Sequence, residues 1–224
     1  MDVIDTLYLG MPANQALDAP LTAEQRKSMI DAAAQKLSEL LEILRIDHRG
    51  DPNTQDTPHR VARMYVNELL AGRFSAPPRL TEFDTVETSG ELMVTGPIEL
   101  RSTCAHHLMP IYGTAIIGIV PSADGRLIGL SKYDRVVQHF ARRFQTQEEL
   151  VNQIGRFLMD MTAPRGLAVR IKAVHMCKTH RGVLASHASN MISSAYFGEL
   201  KTNERMKAEF LQESLGLERG VGQS

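Results

Sequence analysis

The amino-acid sequence predicts an α+β fold, with strands and helices grouped in blocks instead of alternating one for one. Three observations carry this. Residues 23–46 and 57–72 repeat apolar side chains at helical spacing. Residues 111–120 and 167–177 are apolar stretches, the first especially rich in β-branched side chains. Two consecutive helical stretches, from Ser131 and over 147–162, separate those two strands.

Residues 1–20 contain Gly10, Pro12 and Pro20, show no sustained period, and read as an arm. Thr22 is an N-cap with Gln25 in capping-box position. Met29, Ile30, Ala33, Leu37, Leu40, Leu41 and Leu44 then recur at three- and four-residue spacing, an apolar stripe for core or helix–helix packing. The polar stretch 47–56, with Gly50 and Pro52, is a loop. Thr57-Pro58 caps a helix that runs through Val61, Ala62, Met64, Tyr65, Leu69 and Leu70 to Gly72.

After the break at Pro77-Pro78, residues 80–101 are extended, with a turn at Ser89-Gly90. The strand 111–120 follows, and Asp124-Gly125 is a hairpin-type turn into Leu127-Ile128-Gly129-Leu130. Ser131 caps the next helix, with Asp134 three residues on and Lys132 and Arg135 in its first turns. A break near Phe144 precedes the helix 147–162, which ends before Pro164-Arg165-Gly166. Strands over 167–177 and 190–198, a helix from Thr202 to Leu215 and a tail from Gly220 to Ser224 complete the order.

Composition excludes several classes. At 224 residues, 43% hydrophobic and 23% charged, the chain is ordinary for a soluble globular protein. Its net charge of −1 offers no general attraction to nucleic acid or an acidic membrane. No apolar run reaches the roughly 18–20 residues of a membrane span. The acidic start Met1-Asp2-Val3-Ile4-Asp5 lacks signal-peptide features, so a cytoplasmic protein is expected.

The chemistry concentrates at the only two cysteines, each within two or three residues of a histidine. Cys104 and His107 have C-x-x-H spacing, by which one tight turn can offer two ligands. His175 and Cys177 are two apart, which on a strand puts them on one face. Two thiolates and an imidazole are a zinc-type donor set, and three protein ligands leave a position open, which points to catalysis. Two thiols that merely pack are the plainer reading, and the flanking histidines argue against it. The spacing alone leaves His106 open as the ligand in place of His107. Lys132 and Arg135 at a helix N-terminus suit a phosphate. Arg60 and Arg63 share a helix face, an ordinary solvated pair unless an anion approaches.

Five fragments stand in order along the chain. They are Thr57-Pro58-His59-Arg60-Val61-Ala62-Arg63-Met64-Tyr65, Ser102-Thr103-Cys104 with His106-His107, Ile128-Gly129-Leu130-Ser131-Lys132, Gln145-Thr146-Gln147-Glu148, and His175-Met176-Cys177 followed by Arg181-Gly182. Together they resemble GTP cyclohydrolase I, from about Thr57 to Phe210. The resemblance implies Zn2+ on Cys104, His107 and Cys177, lowering the pKa of water for attack on C8 of GTP. The ring opens, C8 leaves as formate, and a sugar rearrangement and second closure give 7,8-dihydroneopterin triphosphate. It also implies that His175 protonates the purine nitrogen, His106 assists ring opening and Ser131 helps at the ribose. Glu148 reads guanine, Gln147 contacts the base, and Arg60, Arg63, Lys132, Arg135 and Arg181 hold the triphosphate. Arg142 and Arg143 are left as a solvated pair.

The family implies a tunnelling fold, an antiparallel sheet with helices on one side, preceded here by N-terminal helices. It also implies a homodecamer of two pentamers with sites at subunit interfaces. The division expected is 1–56 for the arm and first helix and 57–224 for the catalytic domain. Two departures stand out: Ala105 replaces the family's usual glutamate, and 183–191 replaces a serine- and threonine-rich segment. A loss of glutamate beside a zinc ligand can cost ~10–100-fold in affinity or activity. The alternatives are thus a working enzyme of folate or 7-deazaguanine synthesis, an impaired paralogue that binds purine or pterin, and an enzyme that stops at the ring-opened formamidopyrimidine.

Overall fold

Two compact units meet in sequence between Ala76 and Pro77. In the computed structural model the described residues are 11–84, 91–123 and 126–220. In the first unit, α1 (Ala23–Ile43) starts at a complete capping box. Thr22 Oγ1 accepts from the Gln25 N–H at 3.1 Å, and Gln25 Oε1 accepts from the Thr22 N–H at 2.9 Å.

Helix α2 (Thr57–Met64) passes through a π-helical turn (Tyr65–Leu69) to α3 (Ala71–Phe74). Thr57 is already helical, so Asp56 is the N-cap and Pro58 lies in the first turn, where a missing N–H costs little. Leu21, Ile30 and Ala34 pack with Ala62, Val66 and Phe74. The apolar stripe of α1 outruns this core, leaving Leu40 and Leu44 exposed. Packing groups α2 with α1, whereas the motif-based division fell at 56/57.

The second unit contains β1 (Glu82–Asp84), β2 (Met93–Cys104), β3 (Pro110–Val120), β4 (Arg126–Ile128), α4 (Leu130–Ala141) and β5 (Phe144–Gln145). It continues with α5 (Gln147–Thr162), β6 (Gly166–His175), α6 (Met176–Thr179), β7 (Asn190–Gly198), α7 (Glu199–Thr202) and α8 (Glu204–Gly220). The main sheet has the order β5-β2-β3-β6-β7 and is antiparallel except for the short β5, which lies parallel to β2. Proline lacks a ladder donor, and β2 shifts register against β3 between Thr95 and Ile98, around Pro97.

Period-2 alternation sorts the sheet's two faces. Ile111, Ala115 and Ile117 of β3 and Leu167, Val169 and Ile171 of β6 meet Val136, Phe140, Leu150 and Ile154 from α4 and α5. Each Val, Leu, Ile or Phe among them contributes about 1.5–3 kcal/mol by leaving water. On the other face Ile116, Val120 and Ala168 receive Leu200 and Phe210 from the C-terminal helices. Gly118 makes room there, because a Cβ would lie 2.5 Å from the Phe210 ring.

Several expectations shift. β4 pairs with β1, not with β3, because β2 and β6 already occupy both edges of β3. The turns expected at Ser89-Gly90 and Asp124-Gly125 lie outside the described residues, as do 1–10 and 221–224. Gly129, not Ser131, is the N-cap of α4, since Leu130 is already helical. The strand expected to reach 177 stops at His175, and the last helix continues to Gly220. Among the described residues no helix is long and apolar enough to cross a membrane.

Candidate metal centre and active site

β2 ends at Cys104, and a tight turn returns the chain to β3. The Cys104 N–H donates to the Met109 carbonyl at 2.8 Å, and the Leu108 N–H donates to the Cys104 carbonyl at 2.9 Å. The Ala105 N–H donates to the Gln145 carbonyl of β5 at 2.9 Å. Leu108 takes the left-handed region, with φ at 53°, as the turn closes. All three bonds are main-chain, so none of them depends on the side chain at position 105.

Cys177 comes from α6. His175 ends β6 and is the N-cap of that helical turn, so the chain bends between the two residues. The shared strand face expected from their spacing is therefore absent. The helical turn carries Cys177 to Cys104 instead, and the ligand atoms of Cys104, His107 and Cys177 all lie within 4.8 Å of one another. A tetrahedral zinc with Zn–S bonds of ~2.3 Å holds two sulfurs roughly 3.8 Å apart, so the cluster has the right scale.

Cys104 is buried, Cys177 half-buried and His107 exposed. Burial, and then the neighbouring Cys104, push the Cys177 thiol pKa up. Two thiols that oppose each other's ionisation form a donor pair that a cation would favour. His107, and not His106, joins the sulfurs in this cluster. His106 is exposed, its ring edge-on to His107 with centroids 6.4 Å apart.

His175 is half-buried, its Nε2 2.8 Å from Gln147 Oε1. Burial pushes its pKa down, the Glu148 carboxylate pulls it up and Lys178 adds to the lowering. Glu148 is exposed in the first turn of α5. Gln147, beside it, is 1% exposed. Its Nε2 donates to the Ile171 and Met191 carbonyls, each at 3.1 Å, and lies 3.3 Å from Ser193 Oγ.

Ser131, Lys132 and Arg135 share the start of α4, with Ser131 and Arg135 exposed. Lys132 donates from Nζ to the Arg79 carbonyl at 3.3 Å. Arg181 is exposed just after α6, and its charge acts on Cys177. Arg60 and Arg63 are exposed on α2 of the first unit, Arg60 lying 3.3 Å from Asp56.

One reading is corrected outright. Arg142 is exposed, but Arg143 is buried, with Nη2 2.9 Å from His139 Nε2 and its guanidinium over the Phe140 ring at 4.6 Å. Sequence reasoning also gave Gln145 no role of its own. It is buried, its Nε2 donating to the Phe140 carbonyl at 2.8 Å and to Gln153 Oε1 at 2.9 Å, while its own carbonyl holds the cysteine turn. The available signal was the pair of glutamines two apart in Gln145-Thr146-Gln147.

The sequence profile of the family described as GTP cyclohydrolase I matches residues 33–214. The chain belongs to that family. Among GTP cyclohydrolase relatives, GTP cyclohydrolase 1 of Shewanella oneidensis is 37% identical over 199 residues, spanning 88% of this chain and 89% of that protein. GTP cyclohydrolase 1 of Aeromonas salmonicida is 37% identical over 203 residues, spanning 88% and 90%. Among solved structures, the apo archaeosine synthase QueF-Like covers 50% of this chain at 12% identity and a TM-score of 0.37, too slight a likeness to bear on function. A GTP cyclohydrolase I family chain with this Cys-His-Cys cluster is a hydrolase-type enzyme with a metal-binding site. Its fold class is α+β as expected, but helices cover both faces of the sheet instead of one, α4 and α5 on one face and α7 and α8 on the other.

Proposed function

We propose that the protein hydrolyses GTP at C8, releases C8 as formate and forms 7,8-dihydroneopterin triphosphate, with zinc held by Cys104, His107 and Cys177. The observation that carries this reading is the gathering of those three ligand atoms within 4.8 Å in a chain of this family. Bound there, zinc supplies Lewis acidity and makes a contacting water acidic near neutral pH. Two hydrolytic events consume two waters and ring closure returns one, so one water is consumed overall.

His175, half-buried, is suited to hold a proton for the purine nitrogen, and the exposed His106 to assist ring opening. Ser131 serves at the ribose. The Glu148 carboxylate can accept from both the guanine N1–H and its exocyclic amine. A triphosphate carries about four negative charges and favours several guanidinium and ammonium partners. Lys132 and Arg135 beside the first amides of α4, together with Arg181, supply them; Arg60 and Arg63 join on the strength of their motif alone.

The reading extends to assembly as a decamer of two pentamers. Supporting it, β7 has one ladder partner among the described residues, and Tyr112 and Ile192 stand exposed on the sheet. The product would feed folate, pterin or 7-deazaguanine synthesis. The test is to incubate zinc-loaded protein with GTP, follow formate, and oxidise the product to detect neopterin fluorescence. Both signals are expected. Formate without neopterin marks a reaction that stops after deformylation and before the pterin ring closes; a formamidopyrimidine that keeps C8, with neither formate nor neopterin, marks a stop at ring opening, and unchanged GTP despite intact purine binding contradicts the proposal.

A further inference from the structure

We propose that the sheet face turned away from α4 and α5 carries a second ligand site, for a small carboxylate, beside the end of α8. Val174 and His175 are consecutive on β6, so their side chains leave opposite faces of the sheet. His175 meets Gln147 of α5, whereas Val174 lines a cavity of about 230 Å³ on the other face. Tyr112, Val174 and Asn190 are cross-strand neighbours on β3, β6 and β7, and Thr114 and Lys172 form the next row. All five line that cavity, and Glu218 from the last turn of α8 joins them.

Charge decides what the cavity takes. Arg170 and Lys172 share the Glu218 carboxylate. Arg170, its side chain 11% exposed, donates from Nε to Glu218 Oε1 at 3.0 Å. Lys172 reaches Oε2 at 3.4 Å, and its side chain is 37% exposed. Arg170 is the closer and drier partner, so it balances Glu218 and leaves Lys172 as the excess positive charge. Among the described residues, Lys172 and Glu218 are the charged ones lining the cavity. An ammonium has three donors, and Glu218 engages one.

A single ammonium suits a monoanion, whereas a phosphate group favours several cations. The volume falls below the roughly 300–1,000 Å³ of pockets for drug-sized ligands, which excludes a nucleoside triphosphate. Val174 and the Tyr112 ring offer an apolar wall, and the Tyr112 and Thr114 hydroxyls can donate to a carboxylate oxygen. The fitting occupant is therefore a carboxylate with a compact apolar body, in the size class of benzoate.

Benzoate is the probe, with benzamide as its uncharged counterpart and inorganic phosphate as the competing anion. Tyr112 also stands on the surface offered above to neighbouring copies, so the protein is tested in its own assembly. Saturation-transfer NMR is expected to give saturable benzoate binding with Kd of about 1–10 mM. Benzamide and phosphate should each bind at least about tenfold more weakly. Lys172→Met keeps the unbranched stem without the charge, and should lower benzoate affinity about tenfold. Glu218→Gln removes the competing carboxylate and should raise it about three- to tenfold. Thermal unfolding is measured for both variants. In wild-type crystals soaked with 4-iodobenzoate, the anomalous iodine peak is expected beside Lys172.

No saturable binding, the result if a neighbouring copy fills the cavity, overturns the proposal. So does equal affinity for benzoate and benzamide, tighter binding of phosphate, or iodine at the metal centre instead. Unchanged affinity in Lys172→Met, or no gain in a folded Glu218→Gln protein, overturns it as well. The comparison of benzoate with benzamide needs no variant to fold.

Discussion

Alanine at position 105 sits between two residues that matter chemically, and the turn holds it by its backbone. Three main-chain bonds close the turn, one of them from the Ala105 N–H itself. We therefore expect Ala105→Glu to leave zinc at one ion per chain, measured by metal analysis after dialysis. Restoration of metal to a protein purified metal-free would show that the ligand set is incomplete. At the residue scale much of the site was legible, because donor chemistry and spacing are properties of sequence. Cys104 and Cys177 could be paired before any fold was known. The choice of His107 over His106 required the turn's geometry or the family. Arg143 was not legible, because its burial depends on how His139 and Phe140 of α4 pack beside it. The burial of Gln147 was hidden for a similar reason: its partners Ile171 and Met191 are on strands far along the chain.

Among the elements, α4 carries a pH dependence. Arg143 can only donate, so His139 Nε2 accepts, and burial together with that guanidinium pushes the His139 pKa down to about 4. Between pH 6.5 and about 4 the unfolded chain binds a proton that the folded chain refuses. Stability should therefore fall as pH drops through that window, by on the order of 2–3 kcal/mol, and be unaffected by this group above it. Thermal unfolding of wild type and His139→Gln, which keeps an acceptor for Arg143, should diverge below pH 6.5; parallel pH profiles would refute the assignment.

The β3–β6 ladder gives a second test. A Cβ on Gly113 would lie 2.1 Å from the Lys172 carbonyl oxygen and 2.6 Å from Ala173 Cα. Because the neighbours are backbone, Gly113→Ala should destabilise by about 3 kcal/mol, the upper part of the usual overpacking range, seen as a lower unfolding midpoint. Periodicity located α5 and β7 at their observed bounds, as both are set by local pattern. The pairing of β4 was not legible, because it depends on β3 having no free edge, which is a property of the whole sheet. The helical turn after His175 escaped notice too: four residues are too few to show a period.

For the whole molecule, the open questions are assembly and turnover. Ten copies of a 24.9 kDa chain make about 250 kDa, and light scattering should find a particle of that order. An active monomer of one chain's mass would refute sites at subunit interfaces. The central claim is that Cys104, His107 and Cys177 hold the metal with which this chain releases C8 of GTP as formate. Its most direct test is formate release from GTP by metal-analysed wild type beside Cys177→Ser. The account predicts one zinc per chain and formate from wild type, with both lost in the variant. Undiminished formate from a zinc-free Cys177→Ser protein, or none from a zinc-replete wild type that binds GTP, would contradict it.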